Sequence, residues 1–262
     1  MKVKDIAKEI EEFAPCFLKE SYDNVGLMVG DHNKKVNKVL LALDCTKEVI
    51  EEAKVNNVDL IITHHPLLFK KPSKIVLNDL QGSKIIELIK SDISLYSCHT
   101  NLDSTEGGIN DKIVEILGYD KGIIMENINI KGYENAGIGR IVSLNKKVQT
   151  TEIIDNVKKK LGIKHVRVAI GNETASKIAI INGSGQDFFS KALALKADCI
   201  ITGDTTYHFV SDYKEMGISI IDAGHFNTEW IVFLEVMKKI QDKFKSIEFI
   251  PSKFSKDPYE FY

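Results

Sequence analysis

Short continuous apolar runs alternate with segments of helical period along the chain, and that alternation predicts an α/β fold. Ile6, Ile10 and Phe13 share one face of an N-terminal helix whose other positions are charged. A turn-like Ser21-Tyr22-Asp23-Asn24-Val25-Gly26 follows, then the apolar run Leu27-Met28-Val29. Residues 38–43 read as a buried strand, and residues 47–56 as a helix capped by Thr46. Residues 58–63 form a second buried strand, ending in His64-His65-Pro66. A helix over 83–90, a strand over 93–98 and a helix over 110–117 complete this series. The texture changes over 124–175, where a strand (140–144), a helix (151–161) and another strand (165–170) suggest a bridging αβ piece. The remainder reads as a strand (177–182), a helix (187–195), strands over 198–202 and 218–222, and a long helix over 228–244.

The last series repeats the first. An offset of 139 residues takes Lys38 to Lys177 and Asp59 to Asp198, and lays Asp-Leu-Ile-Ile-Thr over Asp-Cys-Ile-Ile-Thr. An offset of 126 takes His99-x-Asn101-x-Asp103 to His225-x-Asn227-x-Glu229. Buried strands of similar composition align by chance, but here polar residues match as well as apolar ones. The expected architecture is therefore two related α/β halves with mainly parallel sheets facing a central metal cleft. The first lobe is expected over 1–123, a short bridging segment without a full inserted domain over 124–175, and the second lobe over 176–262, all in one compact unit.

Composition narrows the function classes. With 262 residues, 44% hydrophobic and 27% charged, there is ample material for a core. A net charge of −2 and no Lys/Arg block argue against nucleic acid as a partner. No apolar run reaches the roughly 18 residues of a membrane span, and acids among the N-terminal apolar positions exclude a signal peptide. Cys16, Cys45, Cys98 and Cys199 form no Cys-x-x-Cys pair, which points to a reducing, cytoplasmic setting and away from a sulfur-rich zinc site.

In open parallel sheets ligands bind beyond the carboxyl ends of strands. His64-His65 lies at one such end, His99 to Asp103 at a second, Asp204 and His208 after a third, and His225 to Glu229 after a fourth. Five of the seven histidines therefore gather at strand ends. Pro66 stops regular strand pairing, so His64 and His65 can serve different ions. Asp103 and Glu229 can each bridge two cations, since a carboxylate has two oxygens. His225 and Glu229 share one helical face at i, i+4. His64, His65, Asp103, His225 and Glu229 make a nitrogen and oxygen set that suits two Zn, Fe, Mn or Mg ions. Taken singly, His-His-Pro reads as a loop feature and His-x-x-x-Glu as a solvated pair; it is their joint placement that carries the metal reading. Lys70, Lys71 and Lys74 are the candidate cations for a phosphoester substrate, against a solvated-surface alternative.

These residues carry a family resemblance. Tyr-Asp-Asn-Val-Gly-Leu at 22–27, Ile-Thr-His-His-Pro at 62–66, His-Thr-Asn-Leu-Asp at 99–103, Thr-Gly-Asp at 202–204 with His208 beyond, and Gly-His-Phe-Asn-Thr-Glu at 224–229 keep their order across nearly the whole chain. The set resembles the GTP cyclohydrolase 1 type 2 homologs, the YbgI-like dinuclear metal-centre proteins. The resemblance implies two metals on His64, His65, Asp103, His225 and Glu229, a two-lobed fold, and a homohexamer. It also implies hydrolytic opening of a purine nucleotide ring, GTP by name, by metal-bound water, with His99 or His208 as proton shuttle or as an orienting group. Asp23, Asn24, Asn101 and Asp204 are expected to shape the pocket. The alternative is a non-catalytic metal-binding scaffold with a regulatory protein partner.

Overall fold

The computed structural model describes residues 1–260. In chain order its elements are α1 (Val3–Phe13), β1 (Gly26–Val29), β2 (Lys38–Ala42), α2 (Lys47–Val55), β3 (Leu60–Thr63), α3 (Leu80–Lys90), β4 (Ser94–Ser97), α4 (Thr100–Ser104) and α5 (Ile109–Leu117). They continue as β5 (Ile123–Asn127), β6 (Gly137–Gln149), α6 (Thr150–Leu161), β7 (Arg167–Ala169), β8 (Thr174–Ser184), α7 (Phe189–Ala194) and β9 (Cys199–Gly203). The last are α8 (Tyr207–Glu215), β10 (Ser219–Asp222), α9 (His225–Gln241) and β11 (Glu248–Pro251). Among the described residues no helix is long and apolar enough to cross a membrane.

The chain forms two compact units, Met1–Leu102 with Phe233–Lys256, and Asp103–Val232 with the segment that begins at Asp257. This corrects the boundaries expected at 123 and 175. Residues 124–175 are no bridge: β5, β6 and β7 are strands of the second sheet, with β5 paired to β6, β6 to β8 and β7 to β10. Residues 233–256 belong to the first unit, where β11 pairs in parallel with β2 from Glu248 opposite Lys38 to Pro251 opposite Leu41.

The first sheet runs β1-β4-β3-β2-β11 and is parallel except for β1. Its inner strands β2 and β3 are apolar runs because both faces are covered. Leu40, Ile61 and Leu95 pack against Val49, Ala53, Ile85 and Leu88 from α2 and α3. Thr46 caps α2 as expected, its hydroxyl accepting from Val49 N at 3.2 Å. The second sheet runs β5-β6-β8-β9-β10-β7. Here the expectation of a mainly parallel sheet holds for the core β8-β9-β10, while β5, β6 and β7 add antiparallel pairings. Its core joins Ala179, Ile181, Ile200 and Ile220 with Phe189 and Ala192 of α7.

Internal geometry bears out the repeat. Val39 pairs with Leu60 in one unit and Ile178 with Cys199 in the other, the same register at the 139-residue offset. Asp59 Oδ2 accepts from Asn37 N (2.8 Å) and Lys38 N (3.2 Å). Its counterpart Asp198 Oδ2 accepts from Ser176 N (2.7 Å) and Lys177 N (2.9 Å). Each aspartate thus staples the start of one parallel strand to the start of the next. Both frames also carry an antiparallel strand on the far side, β1 against β4 and β7 against β10.

Gly137-Ile138-Gly139-Arg140 opens the strand β6. Gly139 takes φ +66 there. Arg140 is buried and donates from Nε to Asp111 Oδ1 (2.5 Å) and from Nη1 to the carbonyls of Gly137 (2.8 Å) and Gly139 (2.9 Å). Burial pushes the Asp111 carboxyl up, but the Arg140 guanidinium outweighs it and holds the group below its usual range. A depressed carboxylate contributes stability above its unfolded pKa, near 4, and loses it as pH falls through the folded value. Asp111→Ala strands a buried cation, so urea unfolding at pH 7 should show a loss of about 3–5 kcal/mol. The gap to wild type should shrink at pH 3, where the wild-type carboxyl also begins to protonate. A loss under about 1 kcal/mol at pH 7 contradicts the buried-pair account.

Candidate metal centre

The first unit gathers three imidazoles at the carboxyl ends of β3 and β4. These strands pair in parallel with Thr63 opposite Ser97, so the residues that follow them emerge side by side. Thr63 Oγ1 donates to His65 O at 2.8 Å and sits 2.8 Å from Ser97 Oγ, which turns the backbone at His65 out of the strand line. His64, His65 and His99 each offer a nitrogen, and these atoms lie within 4.8 Å of one another.

Every ring in this trio is held through Nδ1. That atom lies 2.9 Å from Cys98 O in His64, 2.9 Å from Asp44 Oδ1 in His65 and 2.9 Å from Asp23 Oδ1 in His99. A carbonyl or ionised carboxylate only accepts, so Nδ1 carries the proton and Nε2 is the lone-pair nitrogen. Metal-binding histidines show this outer contact as a rule. Asp23 itself is buried. It also accepts from Asn24 N (2.7 Å), Thr100 N (3.0 Å) and Thr100 Oγ1 (2.5 Å). Burial raises its pKa, but the bonds and charge from His99 and the bonds from Thr100 hold the carboxyl well below the usual range.

Asn24 and Asn101, expected in the pocket, are braces. Asn24 Nδ2 donates to Leu68 O at 2.8 Å. Asn101 is buried, accepts from His99 N (3.0 Å) and donates to Ala14 O (2.7 Å), so its amide fixes the loop that presents His99.

The second unit supplies the carboxylates and a fourth imidazole. Helix α9 begins at His225, three residues before the expected start, and puts His225 Nε2 2.9 Å from Glu229 Oε2 across one turn. His225 Nδ1 lies 2.7 Å from Asp204 Oδ2, so Asp204 orients this ring as Asp44 orients His65. Asp204 follows β9 at φ +52, a conformation Asp tolerates better than most residues. Asn182 Nδ2 donates to Asp103 Oδ1 (3.0 Å) and to Glu229 Oε1 (2.9 Å), joining the two carboxylates through one oxygen each. His208 is exposed on α8, its ring edge-on to Tyr207 at 5.3 Å and outside the donor clusters found among the described residues.

Sequence reasoning missed Asp44, Asn182 and Gly183. A Cβ on Gly183 would lie 2.2 Å from Glu229 Oε1 and 3.2 Å from His225 Nε2. Gly183 takes φ +56 and donates its N–H to Thr228 Oγ1 at 3.0 Å. Glycine is required because donor atoms press against the backbone. The signal was available: the 139-residue offset that aligns His65 with Asp204 also aligns Asp44 with Gly183, both at strand ends.

The residues fit a divalent metal. The donors are imidazole nitrogens and carboxylate oxygens, the rings are anchored from behind, and the backbone gives way at Gly183.

The chain resembles known proteins along its length. The family model for Duf34/NIF3 (NGG1p interacting factor 3) matches residues 1–258. A Clostridium perfringens protein named GTP cyclohydrolase 1 type 2 homolog is 59% identical, with 100% of each chain covered. A Clostridium acetobutylicum protein of the same name is 50% identical over 100% of this chain and 99% of that one. Among solved structures, a Bacillus cereus protein related to NIF3 superposes with a TM-score of 0.91 at 24% identity, covering 100% of this chain and 99% of that one. The chain belongs to the DUF34/NIF3 family.

Proposed function

We propose that the protein is a metal-dependent hydrolase that holds two divalent ions on His64, His65, Asp103, His225 and Glu229 and opens the ring of a purine nucleotide. The observation that carries the reading is the set of imidazoles anchored at Nδ1, with their acceptor nitrogens grouped.

Ions held there supply Lewis acidity and lower the pKa of water toward neutrality. The chain's own residues do the rest. His65 and His225 are locked in position by Asp44 and Asp204. Asn182 holds Asp103 and Glu229 with one oxygen each toward its amide. His99 Nε2 takes the proton of the attacking water, and Asp23 at Nδ1 stabilises the imidazolium that results. The substrate follows from the name that the close relatives carry, GTP cyclohydrolase 1 type 2 homolog.

Two experiments test this. Metal-loaded wild type should open GTP with turnover, and His65→Ala should lose essentially all of it; equal product from both forms would remove the reading. Metal titration should give two ions per chain. Asp44→Ala and Asp204→Ala should each weaken binding about 10–100-fold, as loss of an orienting partner does. Gly183→Ala should lose metal while its circular dichroism stays that of the wild type. Unchanged affinity in all three variants contradicts the assigned centre.

A further inference from the structure

The connection from β3 to α3, residues 64–79, contains neither helix nor strand. Ordered loops of that length inside a compact unit are uncommon and are generally functional. This one starts at the imidazole pair and then presents Phe69, which is 43% exposed. The Phe69 ring stands edge-on to Tyr22 at 6.2 Å, and Tyr22 is 63% exposed. On its other side Phe69 is 6.3 Å from the His99 ring. Two large aromatic rings thus face water beside three imidazoles, where burial would otherwise stabilise the fold.

The pair is fixed in place. Tyr22 heads the turn whose Asn24 side chain donates to Leu68 O, next to Phe69, at 2.8 Å. The residue between them, Asp23, holds His99 at 2.9 Å. One short turn therefore sets the aromatic rings and the imidazole cluster relative to each other. Directly after Phe69 come Lys70, Lys71 and Lys74, all exposed. None of the three pairs with a carboxylate among the described residues.

We propose that Tyr22 and Phe69 form a stacking platform for the base of a nucleoside phosphate, with Lys70, Lys71 and Lys74 as its phosphate arm. The proposal rests on the hydrolase reading of the adjacent site and names the side chains that would hold its nucleotide. Stacking accepts any planar base, since every base has a π-face. Lysines hold phosphate as salt-sensitive point charges. The arrangement orders the ligand from base to phosphates along the chain, from Tyr22 and Phe69 to the lysines.

Calorimetric titration of the full chain with GTP, guanosine and inorganic tripolyphosphate separates the parts, with metal content measured in each sample. Tyr22→Ala should raise Kd for GTP and guanosine about tenfold and leave tripolyphosphate unchanged. Phe69→Leu keeps apolar volume without the π-face and should show the same selectivity. The triple variant Lys70→Ala, Lys71→Ala, Lys74→Ala should raise Kd for GTP and tripolyphosphate, flatten the salt dependence and spare guanosine. Metal content should stay at the wild-type level throughout. Wild-type affinity for guanosine and GTP in both aromatic variants overturns the platform, as does the absence of GTP binding to the wild-type protein. His65→Ala distinguishes the two readings: guanosine binding should survive there while metal is lost, so a failed hydrolase and a failed platform give different results.

Discussion

The candidate centre depends on one repeated interaction, an acceptor-only oxygen behind each imidazole. Cys98 O, Asp44, Asp23 and Asp204 lie against the Nδ1 atoms of His64, His65, His99 and His225. Each contact fixes a tautomer and a ring plane at once. The four acceptors lie at or beyond the ends of sheet strands or in the turn before β1, so the sheets themselves aim the rings. Asp23 shows how firmly: four donors converge on it, and they outweigh the cost of burying its charge.

The repeat explains how one backbone frame yields two kinds of donor group. Both units staple parallel strands through an aspartate, Asp59 or Asp198, and share the strand register that follows. Within that shared frame the chemistry differs at the strand ends. After β2 stands Asp44, which orients His65, while the equivalent place after β8 is Gly183, which makes room for Glu229. After β3 stands His65 itself, and its counterpart after β9 is Asp204, which orients His225. The position that holds a candidate donor in the first copy holds an orienting carboxylate in the second. Neither copy alone carries both the imidazole trio and the paired carboxylates.

Much of this was legible in the sequence because burial writes directly into composition. The strands within 38–43, 58–63 and 198–202 are covered on both faces and show as short apolar cores, Val39 to Leu43, Leu60 to Ile62 and Cys199 to Ile201. The elements that escaped detection lack that contrast. Helix α8 buries none of its residues, so it has no apolar stripe to find. Strand β11 ends in Pro251 and alternates weakly, since it is an edge strand with half-exposed residues. The unit boundaries escaped because a return of residues 233–256 to the first sheet is a long-range event with no local signature. Histidines at strand ends were readable from the rule for parallel sheets, but their partners were not. Asp44 and Asn182 resemble any polar residue after a strand until the atom opposite them is known, and Gly183 declares its role only through a clash it avoids.

The central claim is that side chains far apart in sequence share paired ions. Anomalous diffraction from crystals of metal-loaded protein, collected on either side of the absorption edge, tests it most directly. The account expects two peaks per chain, with imidazole nitrogens and carboxylate oxygens from His64, His65, Asp103, His225 and Glu229 at about 2.0–2.2 Å for zinc. Peaks that sit elsewhere, or a loaded crystal with no anomalous signal at these residues, would contradict it.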